Sequence, residues 1–200
     1  MIKVSTVLEL QNKNIIDWHN KMELSQTQLP WMFIEENNQY NFLLWHEEDI
    51  ARIKEIAPGR IVTAKRNIDK YNQLRNNAIE KIDEWILNQL LHQQNTEHLP
   101  MHSETPGMMI DRLSIMALKR FHMFEETIRI DADEKHKSLC SNKVAVLNEQ
   151  MNDLSKCLAQ LFQKLQNNQL QFKVYRQFKM YNDPSLNPQL YKKNPQSASL

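Results

Sequence analysis

The stretch WHEEDIAR, residues 45–52, sets an imidazole and a carboxylate three positions apart in a segment that reads as helix. Advancing 100° per residue, Phe42, Leu43, Trp45, Ile50, Ile53 and Ile56 make its apolar sector, and His46 and Asp49 project inside that sector. Arg52 stands at its edge. Glu47 and Glu48 point outside and are expected to be solvated. An inward histidine beside an inward aspartate is the raw material of acid–base chemistry, because burial displaces both pKa values toward the working range.

Two more segments repeat the pattern. In AKRNIDKYNQLRNNAIEKID, residues 64–83, the apolar sector holds Ala64, Ile68, Tyr71, Ala78, Ile79 and Ile82, continued by Ile61 and Ile86 on either side. Arg75 falls near the middle of that sector, Asn72 at its margin, and Lys65 in a polar row beside it. In TPGMMIDRLSIMALKRFHM, residues 105–123, Ile110, Leu113, Ala117 and Phe121 line one side, a stripe that Phe124 and Ile128 extend. Ile115 and Leu118 widen it onto a flank that carries Asp111, Ser114 and His122. Lys119 and Glu126 face away.

A buried lone charge costs several kcal/mol, so these groups must find partners. The expectation is one internal polar site. His46 and Asp49 are its acid–base candidates, and Lys65, Asn72, Arg75, Asp111 and His122 its ligand-binding groups. A guanidinium grips phosphate or carboxylate bidentately, so Arg75, helped by Lys65, would hold a small anionic ligand such as a sugar phosphate or nucleotide sugar. The competing reading is a sealed ion-pair network that only fixes helix register. The chain would then be a non-catalytic interaction or scaffold protein, docking a glycosyltransferase or a second copy of itself.

Other chemistries fit less well. A di-iron bundle needs inward Glu-x-x-His pairs, whereas His122 and Glu125 run in the reverse order. His46, Asp49 and His122 are a set of zinc-type ligands with an open position, but the expectation from the pattern is no metal. Ser114, His122 and Asp111 lack a sharp turn and an oxyanion hole. With glycine only at positions 59 and 107, neither a P-loop nor a dinucleotide-binding turn can be built, and no cofactor is expected. The balance of 25 basic and 24 acidic residues argues against nucleic acid as a partner. No apolar run approaches the length of a membrane span, and MIKVSTVLELQNKN has no signal-peptide core. A cytoplasmic location is expected, with Cys140 and Cys157 as free thiols and Cys157 buried in an apolar helical stretch.

The elements that must position these groups are five helices, read at roughly 5–22, 35–57, 60–93, 108–130 and 137–169. Val144, Leu147, Met151, Leu154, Leu158, Phe162 and Leu165 give the last of them an uninterrupted core stripe. The expected fold is all-α: an antiparallel bundle of four to five helices with a long third helix as its spine. Residues 1–180 form the bundle domain, and 181–200, with prolines at 184, 188 and 195, an irregular, flexible C-terminal tail.

The segments NFLLWHEEDIAR (41–52), KRNIDKYNQLRNNAIEKID (65–83) and TPGMMIDRLSIMALKRFHM (105–123) resemble, in the same order, the bacterial domain-of-unknown-function family numbered 4254. That resemblance implies no established activity. It does imply a setting among genes for lipopolysaccharide and other surface sugars, hence a role near glycosyl transfer.

Overall fold

The computed structural model describes residues 2–90, 98–177 and 183–191. Its helices are α1 (Val4–Trp18), α2 (Trp31–Ala51), α3 (Pro58–Gln89), α4 (Pro106–Ile128), α5 (Glu134–Gln166) and the short α6 (Pro188–Tyr191). The protein is all-α. None of these helices is long and apolar enough to cross a membrane. Residues 91–93 of the expected third helix lie outside the described residues, as does the expected tail except for 183–191.

Local chemistry sets most helix ends. Pro30 and Pro58 supply the preset φ that suits a helix start. Pro58 also forces Ala57 into an extended conformation, which separates α2 from α3. Helix α2 itself stops at Ala51 rather than running on to position 57, and residues 52–57 are non-helical. Thr105 caps α4, its Oγ1 accepting from the Met108 N–H at 3.2 Å, and Asp133 caps α5 by accepting from the His136 N–H at 2.6 Å. Beyond α5, Asn168 takes a left-handed φ of 54° and turns the chain back. Phe172 then buries itself in the core, and Arg176 reaches Glu80 and Glu84 on α3.

Helices α2 and α3 form an antiparallel hairpin. Glu36 pairs with Lys81 at 2.9 Å, the Tyr40 and Tyr71 rings face each other, and Glu47 accepts from Asn67 at 2.7 Å. Helices α4 and α5 form the second hairpin, and α1 packs against α4, α2 and α5. The main core joins Ile34, Ile82, Ile86, Ile110, Leu113, Leu158 and Phe162. A smaller cluster of Ile15, Trp18, Phe42, Ala117, Leu118 and Met151 continues it toward the other end of α4.

One close approach locks α4 to α3. A Cβ on Gly107 would stand 2.7 Å from the Ile79 carbonyl oxygen and 2.8 Å from the Asp83 carboxylate. Only glycine fits there. Asp83, nearly sealed from solvent, accepts from the Gly107 N–H at 2.6 Å and from the Thr105 hydroxyl at 2.5 Å. Burial pushes its carboxyl up to about 7, against the pull of these two donors.

Candidate functional site

The buried residues of α2 are Ile34, Glu35, Asn37, Asn38, Asn41, Phe42 and Leu44, so three asparagines face inward. They meet Asp111 and Ser114 on α4 and Gln11 on α1, all buried. Asp111 Oδ1 accepts from the side-chain amides of Asn37 and Asn41, each at 2.8 Å. Ser114 accepts from Asn41 at 3.2 Å and donates to Asn38 at 2.8 Å. Asn38 donates to the Gln11 carbonyl at 3.3 Å, and the Gln11 amide donates to the Ile110 carbonyl at 3.0 Å. This layer ties three helices together, although Gln11 Oε1 and Asn37 Oδ1 are buried in it without a hydrogen-bond partner.

Arg75 stands beside this layer without joining it. Its Nε lies 3.9 Å from Asp111 Oδ1, beyond hydrogen-bond reach, and is buried with no hydrogen-bond partner. A stranded donor of this kind costs about 1–3 kcal/mol, more when charged. Arg75 borders an open pocket of 420 Å³ whose polar lining includes Asn41, Asn72, Asp49, Glu48 and Arg52, with walls from Leu44, Trp45, Ile115 and Leu118.

The expected residues thus divide. Asn41, a residue the pattern did not single out, joins Asn72, Arg75 and Asp49 at the pocket. Asp111 is buried behind it. Asp49 is exposed rather than inward, because the buried face of α2 is the asparagine stripe and not the sector through Ile50 and Ile53. Ile53 itself is half exposed. Lys65 is exposed, pairs with Asp69 at 2.8 Å and does not line the pocket. Glu47, expected in solvent, is half-buried against Asn67. Cys157 is exposed and Cys140 is the buried thiol, both free. His136 Nε2 touches both Cys140 Sγ, at 3.4 Å, and Glu126, at 2.8 Å. One nitrogen serving both contacts cannot relay a proton between them.

His46 and His122 lie elsewhere, with a third imidazole that the sequence pattern did not single out. His19, just past the end of α1, meets both of them. Its ring centroid is 5.2 Å from each, and those of His46 and His122 are 5.7 Å apart. His19 Nδ1–H donates to the Ile15 carbonyl at 2.6 Å, and His122 Nδ1–H donates to the Glu125 carboxylate at 2.8 Å. The Nε2 atoms of His46 and His122 are buried without a hydrogen-bond partner. Burial, then the neighbouring His19 and His122, hold the His46 pKa below its ordinary value, against the opposite pull of Asp49 and Glu125. Aromatic rings brace the group: Trp45 stacks on His122 at 4.7 Å, Phe121 on His19 at 4.5 Å, and Phe42 meets His46 edge-on. Among the described residues, these three histidines alone form a group of three or more metal-ligand side chains with ligand atoms all within 4.8 Å of one another. Asp49, counted with His46 and His122 in the sequence, is not part of it.

Comparison with known proteins gives one family. The model described as "Protein of unknown function (DUF4254)" matches residues 31–174, which take in α2 to α5 with the pocket, His46 and His122, and leave out His19. No curated protein and no solved structure matches the chain.

Proposed function

Because the chain belongs to the DUF4254 family, whose description names no activity, we propose its role from its own residues: it binds a small anionic ligand of the sugar-phosphate or nucleotide-sugar class in the pocket between α2, α3 and α4. The observation that carries this reading is the stranded Arg75 Nε at the wall of an open pocket. A structural arginine would be expected to close on a carboxylate. Here Asp111 Oδ1 already accepts from two asparagines, and Arg75, 3.9 Å from it, lines the pocket instead.

The rest of the lining suits a phosphorylated sugar. Arg75 takes the phosphate, and Arg52, now paired with Glu48 at 2.6 Å on the surface, adds a second cation at the rim. Asn41, Asn72 and Asp49 offer hydrogen-bond groups for hydroxyls. Trp45 and Leu44 offer an apolar wall. The volume lies within the range of small-molecule sites. The asparagine layer behind the pocket is structural, so the two readings of the sequence hold for different residues. The link to surface-polysaccharide synthesis follows from the implied setting of the family and completes the proposal.

A thermal-shift panel tests it, with inorganic phosphate, a hexose 1-phosphate and a UDP-hexose. The wild-type protein should gain melting temperature with ligand concentration, and Arg75→Met should not. A flat response of the wild type to all three, or an equal response of Arg75→Met, overturns the proposal.

A further inference from the structure

The histidine group adjoins the Arg75 pocket through Trp45, but none of its three histidines lines that pocket, and it asks for a different ligand. The geometry points to a metal site: His19, His46 and His122 hold one divalent transition-metal ion, zinc first among them, through their three Nε2 atoms, with a fourth position left for water on the exposed His19 side.

Three observations converge on it. Nδ1 of His19 and Nδ1 of His122 each donate a proton to an oxygen. That fixes both rings in the tautomer whose Nε2 carries a lone pair. Next, Nε2 of His46 and Nε2 of His122 are buried with nothing to bond to, an arrangement a shared cation resolves. The three rings also come from three separate helical elements, α1, α2 and α4, braced by Trp45, Phe121 and Phe42. The oxygens that accept those two Nδ1 protons, the Glu125 carboxylate and the Ile15 carbonyl, are the kind of outer partner that orients metal-bound imidazoles.

The donor set decides the class of ion. Three neutral imidazoles suit zinc, copper, nickel or cobalt and offer nothing to magnesium or calcium, which need oxygen ligands. Tetrahedral zinc with Zn–N bonds of about 2.0–2.1 Å places its nitrogens about 3.3 Å apart. The three ligand atoms, now within 4.8 Å of one another, reach that spacing by a small tilt of the rings. His19 has most room for it, since it is exposed and lies beyond the last turn of α1.

The test uses the full chain, stripped with EDTA and titrated with zinc chloride against a chromophoric chelator, with cobalt chloride as a spectroscopic probe. The folded wild type should bind one equivalent, gain melting temperature with zinc, and give the intense visible absorption of four-coordinate cobalt. His19→Gln, a surface change that leaves the core intact, should weaken zinc binding at least about tenfold, and Glu125→Gln should weaken it about tenfold. Arg75→Met should bind zinc like the wild type. Absence of one-to-one binding by the folded wild type overturns the site. Undiminished binding by His19→Gln, or loss of binding in a folded Arg75→Met, likewise overturns it.

Discussion

Arg75 Nε stands 3.9 Å from Asp111 Oδ1, close enough to feel the carboxylate and too far to hydrogen-bond to it. The two residues therefore contribute to stability in different ways. Arg75→Met removes a stranded buried donor, and the variant should be at least as stable as the wild type, by up to about 1–3 kcal/mol. Asp111→Ala strands the Asn37 and Asn41 amides and should cost about 1–3 kcal/mol. Urea denaturation of both variants measures the contrast. Equal, heavy losses in each would mean that the two side chains act as a buried ion pair.

Gly107→Ala should destabilise the protein by about 1–3 kcal/mol through overpacking, because the added methyl meets the Ile79 carbonyl and the Asp83 carboxylate. Gly59→Ala is the control. A Cβ there meets nothing, and its effect should be small. Thermal melts of the two variants check this.

Asp83 gives the protein a pH dependence of defined sign. Burial pushes its carboxyl up to about 7 in the folded chain, from an ordinary value of 3.8. Between those values the folded state holds a proton that the unfolded state has lost, so stability falls as pH rises. The contribution is complete below about pH 4 and lost above about pH 7, in total roughly 4 kcal/mol. Asp83→Asn mimics the protonated acid and should flatten this part of the profile. Measured from pH 4 to 8, the wild type should lose stability relative to Asp83→Asn as pH rises, the change falling between about pH 4 and 7. A constant difference would show that Asp83 is already ionised at pH 4.

The two cysteines differ in accessibility. Cys157 should react with a thiol reagent in the native protein, and Cys140 should react only on unfolding. Two rapidly reacting thiols in the folded chain would contradict the packing of α5.

Hydrophobic periodicity reads well where apolar residues make the buried face. The stripes of α3 from Ala64 to Ile86 and of α5 from Met151 to Leu165 are buried largely as their spacing indicates. It misleads on α2, whose inward face is made of Asn37, Asn38 and Asn41, because a count of apolar residues turns the helix toward Ile50 and Ile53 and carries Asp49 inward with them. The signal was present as an i, i+3, i+4, i+7 series running Ile34, Asn37, Asn38, Asn41. Its polar members find partners on another helix, Asp111 and Ser114, and one helix read alone cannot show that. His19 was illegible for the same reason. It lies past the end of α1, and only the packing of α1 against α2 and α4 brings it to His46 and His122. The start of α4 is set locally, by the Thr105 cap and by Pro106 as its first residue, two positions before the start at 108 that periodicity indicates.

Titration calorimetry of a UDP-hexose into wild-type protein and into Arg75→Met tests the central claim most directly. The account predicts one saturable site on the wild type, and a loss of at least about tenfold in affinity on Arg75→Met with the fold retained, as expected when a charge-assisted contact worth about 1.5–3 kcal/mol is removed. Equal heats and equal affinities for the two proteins would contradict it.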